Sequence, residues 1–200
     1  MSTIRAVCVY CASGEGRNPA FLAAARDFGR ILAENGVRLI FGGGAIGLMG
    51  ALARSVRDHG GSATGIIPQF LMDREVGFRG EMDMIVTTDL HERKRLMFEH
   101  ADAFVALPGG IGTLEELVEQ LTWAQLGRHR KPILIADIEG FWGPLLELIE
   151  HMGRLGFIHS AEQLNYLVSE RVEDILPKLR AAAAKVAEAE AGEAEVIERL

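Results

Sequence analysis

The chain has 200 residues, of which 48% are hydrophobic and 24% are charged, enough apolar material for one buried core. Its 21 basic and 28 acidic side chains give a net charge of -7, so the basic surface that nucleic acid or an anionic membrane requires is missing. A small-molecule substrate fits this composition better. We expect one domain over residues 1–180, followed by an acidic, alanine-rich tail over residues 181–200.

The first apolar run, residues 6–12, is too short for a signal peptide or a membrane span, and we therefore expect a cytoplasmic protein. Cys8 and Cys11 lie in this run with the C-x-x-C spacing of redox and metal pairs. Residues three apart in a strand point to opposite faces. The spacing therefore predicts two separate buried thiols.

Short apolar runs alternate with longer amphipathic stretches from the first strand to about residue 169, which is typical of repeated β-α units. The pattern predicts a Rossmann-like, three-layer α/β fold with a central parallel sheet of about seven strands. These strands are predicted at residues 6–12, 38–41, 63–67, 84–87, 103–107, 132–136 and 164–168. One helix is predicted from Pro19, after the start signal Asn18, to a stop at Gly36, and another over residues 141–152 with a stop at Gly153.

Three predicted strands are followed directly by glycine-rich turns, at residues 13–16, 42–47 and 108–113. Ser13 opens the first turn, and Gly43 and Gly44 lie in the second. The carboxyl ends of parallel strands share one edge, where glycine lets the backbone present N–H groups to an anion. One phosphate-bearing ligand could therefore contact all three turns.

Two common nucleotide motifs do not fit these turns. Residues 42–47 match G-x-G-x-x-G, but a dinucleotide fingerprint follows the first strand and needs an acidic residue after the next one. Here the next strand runs into Pro68 without a carboxylate. A Walker A loop, G-x-x-x-x-G-K-[ST], does not occur in the sequence.

The third turn leads into a helix with an apolar stripe that we expect to pack on the sheet: Leu114, Leu117, Val118 and Leu121. Glu115, Glu116 and Glu119 lie off that stripe. Carboxylates near a helix start also simply favour the helix dipole, so periodicity does not choose among the three. Before this helix, Arg93, Lys94 and Arg95 follow the fourth strand at the same edge, where cations favour phosphate binding.

Residues 108–116, P-G-G-I-G-T-L-E-E, resemble the P-G-G-x-G-T-x-x-E motif of the LONELY GUY (LOG) family. This family comprises cytokinin riboside 5′-monophosphate phosphoribohydrolases that were long mislabelled lysine decarboxylases. Arg93 and Lys94 resemble the family's Arg-Lys pair, and Met97 resembles its following methionine. The similarity extends from the first strand to about Gly127.

The resemblance implies that Arg93 and Glu116 are catalytic, that the protein is a homodimer, and that it needs neither a metal nor an organic cofactor. The substrate contacts that follow from the resemblance and from the glycine turns are Ser13, Gly43, Gly44, Glu75, Lys94, Gly109, Gly110, Ile111, Gly112, Thr113, Leu114, Glu115 and Thr122.

The implied reaction hydrolyses a purine riboside 5′-monophosphate, with adenine or an N6-substituted adenine as its base, to free base and ribose 5-phosphate. Breaking the ribosyl C–N bond builds positive charge on the sugar, which Glu116 could stabilise while it orients or deprotonates water. Arg93 would anchor the 5′-phosphate or assist the departing base. The sequence leaves open both that choice and the choice between adenine and an N6-prenylated base.

Two other functions compete with this one. A lysine decarboxylase would bind pyridoxal phosphate on a lysine, and of the four lysines only Lys94 lies near a glycine turn. A non-catalytic nucleotide carrier would use the same sheet edge. Glu116 argues against the carrier. A carboxylate repels phosphate, so its place beside an anion-binding loop indicates a role other than binding. The six histidines lack zinc-ligand spacing.

Overall fold

The computed structural model describes residues 4–73, 78, 82–158 and 164–198, with side chains up to residue 192. The strands are β1 (Ala6–Tyr10), β2 (Arg38–Phe41), β3 (Ala63–Pro68), β4 (Asp83–Thr87), β5 (Ala103–Ala106), β6 (Ile133–Ala136) and β7 (Leu167–Ser169). The helices are α1 (Pro19–Glu34), α2 (Gly47–Asp58), α3 (Gln69–Met72), α4 (Leu90–Glu99), α5 (Ile111–Gln125), α6 (Gly143–Arg154) and α7 (Ile175–Glu198).

The seven strands form one sheet in the order β4-β3-β2-β1-β5-β6-β7, and every neighbouring pair is parallel. The predicted α/β fold with a seven-stranded parallel sheet is confirmed. The central strands are short and apolar because helices cover both faces of the sheet, and β5 is buried along its whole length. The chain turns back between β1 and β5, which makes the gap between them the topological switch point.

Two hydrophobic clusters lie on opposite faces of the sheet. Helices α1, α2 and α7 pack on one face, with Phe28, Leu52 and Leu179 in its cluster. The other cluster includes side chains from α4 and α5, with partly buried residues of α6 packed against it. Cys11 belongs to the first cluster and Cys8 to the second. Both thiols are free and buried, which confirms that the C-x-x-C spacing does not form a pair here.

Helix α1 begins and ends as its sequence predicts. The Asn18 side chain accepts a hydrogen bond from the Ala20 N–H, Pro19 occupies the first turn, and Gly36 after the helix has a φ of 64°. The predicted stop of α6 at Gly153 is wrong. That helix continues to Arg154, and the left-handed residue is Gly156, with a φ of 78°. A glycine within a helix costs stability without ending it.

Helix α7 continues across residue 180, where the sequence predicts the domain to give way to a tail. Ala183 is still buried against the first hydrophobic cluster, so this part of the helix packs on the domain. No helix in the described part of the chain is long and apolar enough to cross a membrane.

Candidate active site

The turns after β1, β2 and β5 meet at the carboxyl edge of the sheet. The N–H of Ala12, after β1, donates to the carbonyl of Pro108, after β5, at 3.2 Å. The N–H groups of Leu48 and Met49 at the start of α2 donate to the carbonyls of Gly14 and Ala12 at 3.2 and 3.1 Å. These hydrogen bonds join the first two turns to each other. The amides of Leu48 and Met49 already have acceptors within the protein and are not free to bind an anion.

The start of α5 is open by comparison. Its N-cap is Gly110, which offers no side-chain oxygen, whereas Asn18 and Asp89 cap α1 and α4. Ile111 in the first turn is 82% exposed. The first N–H groups of a helix have no partner within the helix and carry partial positive charge. The start of α5 is consequently suited to bind an anion.

Close packing behind this turn explains one of its glycines. A side chain at Gly109 would collide with that of Thr113, which is buried in the first turn of α5. Only glycine lets the chain after β5 pass this close to the helix. A side chain at Gly110 or Gly112 would meet nothing within 4 Å, so these two residues face open space where a ligand could approach.

Arg93 and Glu116 form a largely buried ion pair beside this helix start. The Nη2 atom of Arg93 lies 3.2 Å from Oε1 of Glu116, and their side chains are 12% and 10% exposed. The Nε–H of Arg93 donates to the carbonyl of Ile66, within β3, at 3.2 Å. A side chain added at Gly42 would meet the guanidinium of Arg93, so the guanidinium lies against the turn after β2. Three different elements therefore fix the direction of Arg93.

Burial dominates the electrostatics of Glu116. Removal of the carboxyl from water raises its pKa above the ordinary value, and the positive charge of Arg93 offsets part of that increase. A raised pKa lets a carboxylate take up a proton more readily near neutral pH, as a general base must. A carboxyl with a perturbed pKa next to a specific charged partner is typical of a catalytic site.

The orientation of α5 differs from the prediction at two positions. Its buried residues are Thr113, Glu116, Leu117, Gln120 and Leu121. Val118, expected to pack on the sheet, is 44% exposed, and Glu116, expected off the packing stripe, is buried. The helix is rotated so that its buried side includes polar residues, which an apolar pattern does not reveal.

Lys94 lies between two carboxylates of α5. Its Nζ atom is 2.6 Å from Oε1 of Glu115 and 2.9 Å from Oε1 of Glu119. Glu115, predicted to contact substrate, is thus an ion-pair partner of Lys94 in the free chain. The ammonium group has two carboxylate partners before any ligand binds.

The other predicted contacts are dispersed. Ser13 is exposed, whereas Gly43 and Gly44 are buried, and the Gly44 N–H donates to the Met49 sulfur. Thr122 is exposed and donates to the carbonyl of Val118, about 9 Å along the helix axis from Glu116. Glu75 lies outside the described residues.

The site contains two groups that sequence reasoning missed. Gly42 was within a recognised turn, but its contact with Arg93 depends on the spacing of α4 from β2. The Ile66 carbonyl is a main-chain group and leaves no signal in the sequence. Among the described residues, no group of three or more His, Cys, Asp and Glu side chains is arranged to hold a metal ion.

A groove of about 750 Å³ lies elsewhere. Its described walls are formed by α7, the end of α5 and the starts of β6 and β7, and they do not include Arg93 or Glu116. The titratable pair and the open helix start make the Arg93–Glu116 region the candidate active site.

This arrangement defines a doubly wound α/β protein with an anion-binding helix start and a buried guanidinium–carboxylate pair at its switch point.

A family model described as possible lysine decarboxylase matches residues 49–179. A probable cytokinin riboside 5′-monophosphate phosphoribohydrolase of Oryza sativa subsp. japonica is 42% identical over 181 residues, covering 90% of this chain and 79% of the relative. A cytokinin riboside 5′-monophosphate phosphoribohydrolase of Arabidopsis thaliana is 39% identical over 180 residues, covering 90% of this chain and 79% of the relative. The chain belongs to this LOG family.

Solved structures with similar folds include proteins of another function. The molybdenum cofactor carrier protein of Chlamydomonas reinhardtii superimposes with a TM-score of 0.68 at 18% identity, covering 91% of this chain and 99% of that chain. A molybdenum cofactor binding protein of Rippkaea orientalis gives 0.65 at 20% identity, covering 90% and 98%. At these identities the likeness shows a shared fold alone.

Proposed function

We propose that the protein hydrolyses the N-glycosidic bond of purine riboside 5′-monophosphates, releasing free base and ribose 5-phosphate. The observation that carries this proposal is the buried Arg93–Glu116 pair beside the open start of α5. A carrier needs the anion site alone. A carboxylate in this position repels phosphate and so weakens simple binding. Its presence is explained if it stabilises a positive charge that develops on the sugar during reaction.

In the proposed mechanism, the first-turn amides of α5 hold the 5′-phosphate and thereby place the anomeric carbon near Glu116. Water attacks this carbon as the bond to the base nitrogen breaks and its electron pair leaves with the base. Glu116 stabilises the positive sugar and accepts a proton from the attacking water, and the departing base takes up a proton from the solvent. Glu116 then returns its proton to the solvent. Fixing both reactants in one geometry supplies much of the acceleration.

Arg93 has two proposed tasks. Its positive charge keeps Glu116 more ionised than burial alone would allow, so the carboxylate is ready to act as a base. Its remaining N–H groups are available to the phosphate or to the departing base. The substrate contacts proposed alongside it are Ser13, Gly43, Gly44, Glu75, Gly109, Gly110, Ile111, Gly112, Thr113, Leu114 and Thr122.

The names of the relatives favour a cytokinin nucleotide as substrate, and adenosine monophosphate shares its phosphate and ribose. We expect both monophosphates to be hydrolysed and the matching nucleosides to be hydrolysed far more slowly, because they lack the group that α5 would bind. Chromatography of the products from adenosine monophosphate, isopentenyladenosine monophosphate and their nucleosides measures this directly.

Equal rates for nucleosides and monophosphates would contradict the role of α5. Binding of the monophosphates without release of base would instead support a carrier. The cytoplasm remains the proposed compartment, where nucleotide substrates are available.

The described geometry gives little support to a lysine decarboxylase. Lys94 is held by two carboxylates, Lys131 lies over the Phe98 ring, and Lys178 donates to the Val168 carbonyl. Lys185 lies on α7, along the distant groove. None of the four is positioned at the start of α5 to form a Schiff base with a bound cofactor.

We also propose that the protein is a homodimer formed through the outer face of the α4–α6 layer. Among the described residues, eleven large apolar side chains are exposed, and eight of these lie on or directly after α4, α5 and α6. The eight are Leu90, Ile111, Val118, Leu126, Leu148, Met152, Leu155 and Phe157. Concentration of exposed apolar surface in one layer is typical of an interaction face.

Val118→Glu is expected to shift the protein from dimer to monomer, because a charge buried in the interface lacks a partner. Sedimentation measures the mass over a range of protein concentrations. Ala184→Glu on α7, an exposed position in the opposite layer, is the control and should leave the dimer intact. A wild-type monomer, or a Val118→Glu dimer of unchanged affinity, would refute the proposed interface.

A further inference from the structure

Lys94 connects two helices whose neighbouring residues form the catalytic pair. Its side chain is 13% exposed, and its ammonium group bridges Glu115 and Glu119 at 2.6 and 2.9 Å. Arg95, the next residue of α4, pairs instead with Glu99 on its own helix. The Lys94 bridges therefore join α4 to α5, as the Arg93–Glu116 pair does.

These bridges occur where they can control the spacing of the two helices. Lys94 directly follows Arg93, and Glu115 directly precedes Glu116. Movement of α4 relative to α5 would therefore change the 3.2 Å separation of Arg93 and Glu116. We call the three residues Lys94, Glu115 and Glu119 the lysine clamp.

Helix α4 is ten residues long and has one buried residue. Phe98 packs partly buried against the second hydrophobic cluster, and its ring contacts that of Trp123 on α5. The Lys94 side chain is 13% exposed and that of Glu119 is 22% exposed, whereas that of Glu115 is 55% exposed. The pair with Glu119 is therefore the better shielded from water. The lysine clamp adds a polar restraint to the apolar contacts that hold α4.

The same cluster affects the charge of Glu116. The ammonium of Lys94 lowers the pKa of Glu116, whereas Glu115 and Glu119 raise it. Burial opposes the charge of Lys94 itself, but hydrogen bonds to Glu115 and Glu119 outweigh burial and raise its pKa. Lys94 therefore keeps its positive charge at neutral pH, close to the Glu116 carboxylate.

We propose that Lys94 is a positioning residue, which clamps α4 to α5 and thereby holds Arg93 against Glu116, and that it does not bind the substrate phosphate. The effect on catalysis rests on the proposed hydrolase function, whereas the effect on the Arg93–Glu116 pair does not. A phosphate contact and a clamp predict different results when the charges are exchanged.

The decisive variants exchange charge within the clamp. Lys94→Glu leaves three carboxylates together and should lower kcat by roughly 100-fold, on the scale of removing a group that acts on the catalytic base. Lys94→Glu combined with Glu119→Lys restores one cation between two carboxylates. We expect this double variant to recover kcat to within roughly ten-fold of wild type, since its charge pattern is again attractive.

Lys94→Met removes the charge without introducing repulsion and provides a readout if Lys94→Glu fails to fold. We expect a lower kcat, little change in KM, and an acid limb of the pH profile that moves to higher pH, because Glu116 loses a nearby cation. Arg95→Met, which disrupts an exposed pair on α4, is the matched control and should retain wild-type kinetics.

Two results would overturn the clamp. One is a folded double variant as inactive as Lys94→Glu. The other is a Lys94→Met enzyme with unchanged kcat and a KM raised for monophosphates alone, as expected of a phosphate contact. NMR titration of the Glu116 carboxyl provides a test that requires no turnover, and an unchanged Glu116 pKa in Lys94→Met would also reject the clamp. Absence of hydrolysis in the wild type would refute the proposed function but leave this titration valid.

Discussion

Replacement of Glu116 by glutamine is expected to leave a folded protein that binds nucleotide but turns it over about 100-fold to 10,000-fold more slowly. Glutamine has nearly the same shape and still accepts a hydrogen bond from Arg93, so the buried site should remain intact. It has no negative charge to stabilise the positive sugar and cannot take a proton from water. Steady-state kinetics, with calorimetry of adenosine monophosphate binding, separate these effects.

The wild-type pH profile provides a second view of the same residue. Burial raises the pKa of Glu116, and only the ionised form can accept a proton. The rate should therefore fall as the pH drops through this raised pKa, above the range of an ordinary glutamate. Glu99→Gln, at an exposed carboxylate of α4, should change neither the rate nor the profile. A near-native rate in Glu116→Gln would remove this residue from the mechanism.

Replacement of Arg93 by methionine should lower kcat/KM by about 100-fold or more, comparable to the loss of a preorganised electrostatic group. Glu116 would then be buried without its cation, so its pKa would rise further and less of it would be ionised at a given pH. Arg93→Lys should restore little activity, because one ammonium cannot reproduce the planar guanidinium that contacts both Glu116 and the Ile66 carbonyl.

The division of this loss between kcat and KM assigns the task of Arg93. We expect kcat to fall most, because the ion pair with Glu116 exists before substrate arrives. A loss confined to KM for monophosphates would instead identify Arg93 as a phosphate anchor. Thermal unfolding of both variants shows whether the buried pair also matters for stability. Unchanged kcat/KM in Arg93→Met would contradict both tasks.

Periodicity and turn chemistry predicted the fold from particular residues. The apolar runs gave all seven strands, with β2 correct at both ends, because a parallel sheet covered on both faces requires continuous apolar segments. Asn18 and Gly36 gave the limits of α1 through local hydrogen bonding and a left-handed backbone. The predicted end of α6 at Gly153 was wrong because a glycine ends a helix only where the chain leaves the helical path.

The candidate site was only partly predictable. The sequence brought the glycine turns and the Arg93 region to one sheet edge, and the family motif distinguished Glu116 from Glu115 and Glu119. Apolar periodicity placed all three carboxylates off the packing stripe. It could not reveal that Glu116 is buried, since the energy of that burial depends on a cation from another helix.

The sequence by itself therefore determined the parallel sheet, its helical layers and the identity of the motif residues, because these depend on local patterns. Tertiary structure decided which carboxylate meets Arg93, which amides are already used, and where Lys94 finds its charge partners. Those contacts join residues more than twenty positions apart. Their geometry depends on the packing of α4 and α5 on the sheet, which no local pattern encodes.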